Sequence, residues 1–317
     1  MQAELLLDYS KKTKDELIAM CKEKGIKGYS TKNKNGIIDL LENSITNEIV
    51  STKIKEKPVI NASPLRYPGG KTRAIDILYS YVIKYFPDKK TILSPFFGGG
   101  SFELFMTTKG YTIKANDLFV PLYNFWMAKQ IDCDKLIVKI KEKIPVTKER
   151  FHMYREKIMT EKDIFDMASS YFIINRSSFS GATLCGGFSG QAAEKRMTES
   201  SITKLKVCDV SKVSFTNLDC NTFLENNPEN IDSLIYADPP YYIDTYIYGK
   251  NGDMHESFNH VKFAETIKKR KDWIISYNDC EYVRNLYSDC RIFEVKWSYG
   301  MNVSKSSSEI LILPSIS

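Results

Sequence analysis

The chain has 317 residues, 43% of them hydrophobic and 26% charged, with 45 Lys and Arg against 39 Asp and Glu for a net charge of +6. This composition is ordinary for a soluble globular protein, and the charge balance leans toward an anionic partner such as nucleic acid. No apolar run approaches the ~20 residues of a membrane span. The seven cysteines form no CxxC pair and the three histidines have no metal-ligand spacing, so neither membrane nor metal is expected and a reducing cytoplasmic setting is the default.

In chain order, residues 1–46 read as a small helical unit. Thr13 and Glu16 have the spacing of a capping box. Leu17, Ile18 and Cys21 share a helical face, and Gly25 stands where a helix would end. Ile37, Ile38, Leu41 and Ile45 mark a second amphipathic helix, and Lys22, Lys24, Lys27, Lys32 and Lys34 crowd the connection. A plain helical hairpin with a solvated lysine face is one reading. The other is that DELIAMCKEKGIKGYSTKNKNGIIDLLE resembles a SAP motif, a helix–extended–helix DNA-binding module. That resemblance implies that these lysines, Lys27 and Lys32 among them, contact phosphates without reading sequence. Residues 47–62 are polar and lysine-rich and read as a linker, and 63–317 form the larger domain.

The larger domain opens with SPLRYPGGKTRAI, which puts two glycines and Lys71 just before a helix. It is not a phosphate loop, because Leu65 stands where GxxxxGK[ST] needs a glycine. A lysine beside a helix start still suits an anion such as a carboxylate. In TILSPFFGGGSFEL a short strand runs into Gly98-Gly99-Gly100, and Ser101 opens a helix. The pattern fits a nucleotide-like ligand after the first strand, or simply a tight turn. Tyr111 to Ala115 alternate as a second strand ending at Asn116-Asp117, where an acid commonly holds a ribose hydroxyl pair. Strand, glycine loop, helix, strand and Asp together argue for a cofactor containing a nucleoside.

IDSLIYADPPYY carries the chemistry. Leu234 to Ala237 form a buried-strand pattern, and Pro239 and Pro240 stop it and stiffen the loop. Asp238 and the Pro239 carbonyl can accept the two hydrogens of an exocyclic amine, while Tyr241 can stack on its ring. An ordinary surface turn is the alternative. Ile243 to His255 suit a mobile lid. Val261, Ala264 and Ile267 mark a helix. WIISYND and SSEILIL read as core strands without chemistry.

RYPGGK, PFFGGG, AND and ADPPYY, in that order, make residues 63–313 resemble the Dam-type DNA adenine-N6 methyltransferases. The resemblance implies an α/β, Rossmann-like sheet with S-adenosyl-L-methionine as cofactor. It places Tyr67 and Lys71 at the methionine end, Phe97, Gly98 and Gly100 around the cofactor, and Asp117 on the ribose. Asp219 and Cys220 fall at its adenine, Asp238 lies against it, and Asp238, Pro239, Pro240 and Tyr241 are implied as the catalytic loop. Ser94 departs from the family, where many members carry an acid, and leaves the partner of the methionine ammonium open. Tyr67 replaces the more usual tryptophan.

Residues 125–215 fall where the family keeps its DNA-recognition insertion. YFIINRSSFSGATLCGGFSG has a strand-like start and a glycine- and serine-rich body suited to a β-hairpin or loop entering a groove. Asn175, Arg176, Lys195 and Arg196 are the DNA contacts expected there, with a functionally neutral loop as the alternative. The expected substrate is adenine in double-stranded DNA, extruded from the stack. The expected role is restriction–modification, with a cognate endonuclease acting on the same site, or orphan modification. An RNA adenine or a DNA cytosine amine is the nearest rival, and a catalytically silent DNA-binding protein a second. An NAD-dependent oxidoreductase is disfavoured because no GxGxxG follows the first strand.

Overall fold

The computed structural model describes residues 9–41, 44, 61–67, 69–242, 258–296 and 308–315. They fall into two compact units, 1–59 with 76–87 and 60–75 with 88–317. In the smaller unit, helix Lys14–Glu23 starts on a complete capping box between Thr13 and Glu16, and Gly25 follows it at φ +64°. Leu17 and Cys21 pack with Tyr9, Ile37 and Leu41, the last two from the helical stretch 34–41. The expected place of Ile45 in that helix lies outside the described residues.

The larger unit is built on a seven-stranded sheet in the order β3-β2-β1-β4-β5-β7-β6. The strands are β1 (Thr91–Ser94), β2 (Thr112–Asn116), β3 (Val213–Thr216), β4 (Ser233–Ala237), β5 (Trp273–Asn278), β6 (Arg291–Lys296) and β7 (Ser308–Leu313). β1 to β5 are parallel to one another, and β7 runs antiparallel between β5 and β6. Parallel central strands must be covered on both faces, and these are. Ile235, Ala237, Trp273, Ile275 and Tyr277 pack with Phe223, Leu224, Phe263 and Ile267 of helices Cys220–Asn226 and His260–Lys268. The alternate residues Leu234, Tyr236, Ile274 and Ser276 are equally buried. Of the three residues that mark helix His260–Lys268 in the sequence, Ala264 and Ile267 are buried and Val261 is 46% exposed.

β1 and β4 are paired neighbours, with Thr91 opposite Ser233 and Leu93 opposite Ile235. The chain leaves β1 toward β2 on one side and leaves β4 toward β5 on the other. This is the switch point of a doubly wound sheet, where a crevice opens beyond the strand ends. The glycine loop and the Asp-Pro-Pro-Tyr loop are the two segments that leave β1 and β4 there.

Between β2 and β3 the chain forms a helical insertion rather than the expected β-hairpin or loop. YFIINRS belongs to helix Ile164–Ser177, which Asp163 caps by accepting from the main-chain N–H groups of Phe165 and Asp166. Its aromatic and β-branched residues look strand-like because the helix is buried almost all round. It packs against helices Val120–Ile131, Cys133–Glu142, Lys148–Lys157 and Gly190–Arg196, with Phe172 stacked on Phe125 at 5.8 Å. Among the described residues the only strand-like pairing left in the stretch 171–190 is a bridge between Ser178 and Phe188.

Candidate active site

A cavity of about 360 Å³ lies beyond the carboxyl ends of the parallel strands, within the size range of small-molecule sites. The glycine turn makes its floor. Gly98 and Gly100 sit at φ +53° and +64°, and Gly100 caps helix Ser101–Thr108. A Cβ on Gly99 would lie 2.7 Å from Tyr67 Cβ, and one on Gly100 would lie 2.4 Å from Phe97 Cζ. The glycines therefore let the Tyr67 and Phe97 rings close on the turn. Gly100→Ala, left-handed and colliding with Phe97, is expected to cost about 1–2 kcal/mol from backbone strain alone. Urea unfolding checks the stability, and weaker binding of S-adenosylhomocysteine checks the effect on the cavity.

Asn116, the last residue of β2, staples three segments together. Its amide donates to the Pro95 and Leu218 carbonyls and its oxygen accepts from Thr216 Oγ1 and the Leu218 N–H. Asp117 follows, with one carboxylate oxygen accepting from the Gly98 N–H and the other from the Phe119 N–H, both at 2.9 Å. Burial outweighs these donors and pushes its pKa up to about 6. The Trp126 indole donates to the Gly98 carbonyl at 3.0 Å and fixes the turn from its other side. Asp219 caps helix Cys220–Asn226 by accepting from the Asn221 N–H. Cys220 is buried, and that burial pushes its thiol up to about 12, out of nucleophilic range.

The Asp-Pro-Pro-Tyr loop meets the Gly-Gly-Lys turn at a charge pair. Lys71 Nζ lies 2.7 Å from both oxygens of Asp238 and 2.7 Å from Tyr241 Oη. Its side chain is 3% exposed, against 23% for Asp238. Ser276 of β5 donates to Asp238 Oδ1 at 2.9 Å, and Tyr236 Oη lies 3.2 Å from Ser276 Oγ. Since the single hydroxyl hydrogen of Ser276 goes to Asp238, Tyr236 donates to Ser276. Glu309 of β7 lies 4.0 Å from Lys71. The Tyr241 ring is tilted over Tyr277, with centroids 6.2 Å apart.

Tyr67, Lys71, Phe97, Gly98, Gly100, Asp117, Asp219, Cys220 and Asp238 all line this one cavity, as does Pro240. The residues expected to meet DNA are not all available. Asn175 is 0% exposed, and its amide is committed to the backbone of Arg66 and to Thr183 Oγ1. The expectation that it reads a base is therefore corrected: it is a buried strut. Arg176 is half-buried, and its guanidinium donates to the Arg196 and Pro64 carbonyls. Burial and the neighbouring charges of Arg66 and Arg196 lower its pKa to about 10. Lys195, Arg196, Lys27 and Lys32 are exposed. The expected lid at 243–255 lies outside the described residues.

Sequence reasoning missed Ser276 and Glu309, both on strands read as plain core, and Glu103. The carboxylate of Glu103 is buried beside the glycine turn, and Ser94 Oγ donates to it at 2.7 Å.

The family model for D12 class N6 adenine-specific DNA methyltransferases matches residues 67–301, well over half of the chain. The chain belongs to that family. No curated protein matches it. The methyltransferase transfers a methyl group from S-adenosylmethionine to the N6 amine of adenine in DNA, and its seven-stranded α/β sheet suits that chemistry. The residues present fit the cofactor. A glycine cradle that any Cβ would fill lies beside a buried carboxylate at the end of β2, and a polar pocket follows at Leu218–Asn221.

Proposed function

We propose that the Asp-Pro-Pro-Tyr loop is the catalytic loop of this methyltransferase, acting on an adenine extruded from double-stranded DNA. The observation that carries this is the Asp238 carboxylate, clamped by Lys71 and Ser276 at the rim of the glycine-floored cavity. In this reading Asp117 holds the ribose hydroxyls, the helix start at Asp219-Cys220 meets the cofactor adenine, and Tyr67 and Phe97 enclose the rest. When bound, S-adenosylmethionine supplies an electrophilic methyl on a positively charged sulfur.

The amine of adenine is a poor nucleophile because its lone pair is delocalised into the ring. Asp238 and the Pro239 carbonyl accept its two hydrogens and favour a tetrahedral nitrogen. Positive charge grows on that nitrogen as its bond to the methyl carbon forms and the carbon–sulfur bond breaks, so acceptors fixed beforehand favour the transition state over the ground state. The methylated nitrogen then loses one of its hydrogens as a proton to solvent. Lys71 and Ser276 hold Asp238 in place. Tyr241 stacks on the extruded ring, contributing about 1–3 kcal/mol against the few that extrusion costs.

Arg66, Arg176 and Arg196 form a basic cluster, and among the described residues none of the three pairs with a carboxylate. Such a cluster suits a DNA phosphate. Arg196→Ala is expected to weaken DNA binding uniformly across sequences and to reduce the slope of log K against log salt by about one. Fluorescence anisotropy over a salt series reads this. The N-terminal lysines of the SAP-like unit are proposed to add affinity in the same sequence-independent way, in a restriction–modification or an orphan setting.

Mapping methylated adenines in DNA from cells that express the protein gives the target site. A duplex carrying 2-aminopurine at that adenine then tests extrusion. Fluorescence that rises on binding, and less so for Tyr241→Ala, is expected. Fluorescence that rises equally for the parent and for Tyr241→Ala overturns the stacking role.

A further inference from the structure

Four carboxylates line the cavity: Glu103, Asp117, Asp219 and Asp238. Three are already engaged. Asp117 is held by two main-chain N–H groups, Asp219 caps a helix, and Asp238 receives Lys71 and Ser276. Glu103 is different. It lies on the buried side of helix Ser101–Thr108, 3% exposed among Phe102, Leu104, Phe105 and Met106, and the side chain that meets it is the Ser94 hydroxyl. A carboxylate is costly in such a place without a counter-charge. Lys71 acts on Glu103 only as the smallest of the influences on it, and its ammonium group donates to Asp238, Tyr241 and the Gly69 carbonyl.

A cofactor whose ribose lies on Asp117 and whose adenine lies at Asp219-Cys220 directs its amino-acid end toward Glu103. That end carries the one cation in the ligand, besides the sulfonium, that a buried acid could neutralise. We infer that Glu103, oriented by Ser94, is the residue that binds the ammonium group of the cofactor's methionine moiety. The Ser94–Glu103 pair thereby supplies from the helix after the glycine turn a carboxylate that β1 itself does not carry. Burial raises Glu103 to about 8, so the free protein holds it protonated at pH 7 and ammonium binding displaces that proton to solvent. The inference rests on the cofactor orientation proposed above.

The test is calorimetric titration of the full-length protein with S-adenosylhomocysteine and with 5′-methylthioadenosine, which lacks the amino-acid end. Each is run at pH 7 in two buffers of different ionisation enthalpy. The parent protein is expected to release close to one proton on binding S-adenosylhomocysteine and none with methylthioadenosine. Glu103→Gln is expected to weaken S-adenosylhomocysteine at least tenfold and abolish the proton release, while methylthioadenosine binds within about twofold of the parent. Unchanged S-adenosylhomocysteine binding by the Gln variant, or an equal loss for both ligands, overturns the assignment.

If the Gln variant does not fold, Ser94→Ala replaces it. A loss of at least threefold confined to S-adenosylhomocysteine supports the pair, and no loss overturns it. Asp117→Asn separates the inference from its premise, because it weakens both ligands if the ribose lies there. Methylthioadenosine binding untouched by Asp117→Asn overturns the orientation itself, whatever Glu103 does.

Discussion

Asp238→Asn is expected to lower kcat for methyl transfer into DNA by about 10²–10³-fold, the usual cost of losing one preorganised group facing developing charge. The affinity for S-adenosylhomocysteine should change far less. Asparagine keeps the shape of the side chain and one acceptor for Ser276, but it presents an amide where Lys71 Nζ now sits 2.7 Å from both oxygens. Alanine at this position would confound chemistry with an orphaned buried lysine, so the amide is the cleaner probe. Labelled methyl transfer into DNA reads the rate, and calorimetry reads the binding. A variant that methylates at the parental rate would remove Asp238 from the mechanism.

Lys71→Met should damage stability as well as rate. Lys71 is buried, spans 2.7 Å to Asp238, and lies 4.0 Å from Glu309. Deleting it leaves acids facing one another with no cation between them. Breaking one side of a buried pair costs on the order of 3 kcal/mol. The same change also frees Tyr241 Oη from its 2.7 Å contact, loosening the proposed stacking ring. Urea unfolding measures the first effect and turnover the second. The Lys71→Met, Asp238→Asn double variant is expected to be much less destabilised than the sum of the singles, because its second change removes the charge that the first exposed. Simple additivity would mean that the two side chains are not coupled.

Much of this site could be read before any coordinates, because the signals are local. Glycines that must adopt positive φ, prolines that end a strand and an acid at a strand end act through their own backbone. Hence Gly98, Gly100, Asp117 and Asp238 all fall in one cavity. Ser276 could not be found that way. It sits in WIISYN, a strand whose pattern states only burial, and reaches Asp238 across 38 positions of sequence. Glu103 did leave a signal, an acid inside the apolar run SFELF, since a charge on the buried side of a helix asks for a reason. The stretch at 171–177 misled because aromatic and β-branched residues crowd a buried helix as readily as a strand. Asn175 misled for a different reason: a polar residue in a glycine-rich setting suggests a groove, and here it ties Arg66 to Thr183.

The pairing of β1 with β4 has a mechanical consequence. Segments that leave hydrogen-bonded neighbours are anchored about 4.8 Å apart, and these two strands lie in the middle of the ladder, where amide protons exchange slowest and opening requires loss of the whole cooperative unit. The glycine loop and the Asp-Pro-Pro-Tyr loop therefore cannot drift apart by partial fraying at the sheet edges. Heat inactivation of the enzyme and melting of its sheet are accordingly expected to coincide, which activity and circular dichroism followed over one temperature ramp would check.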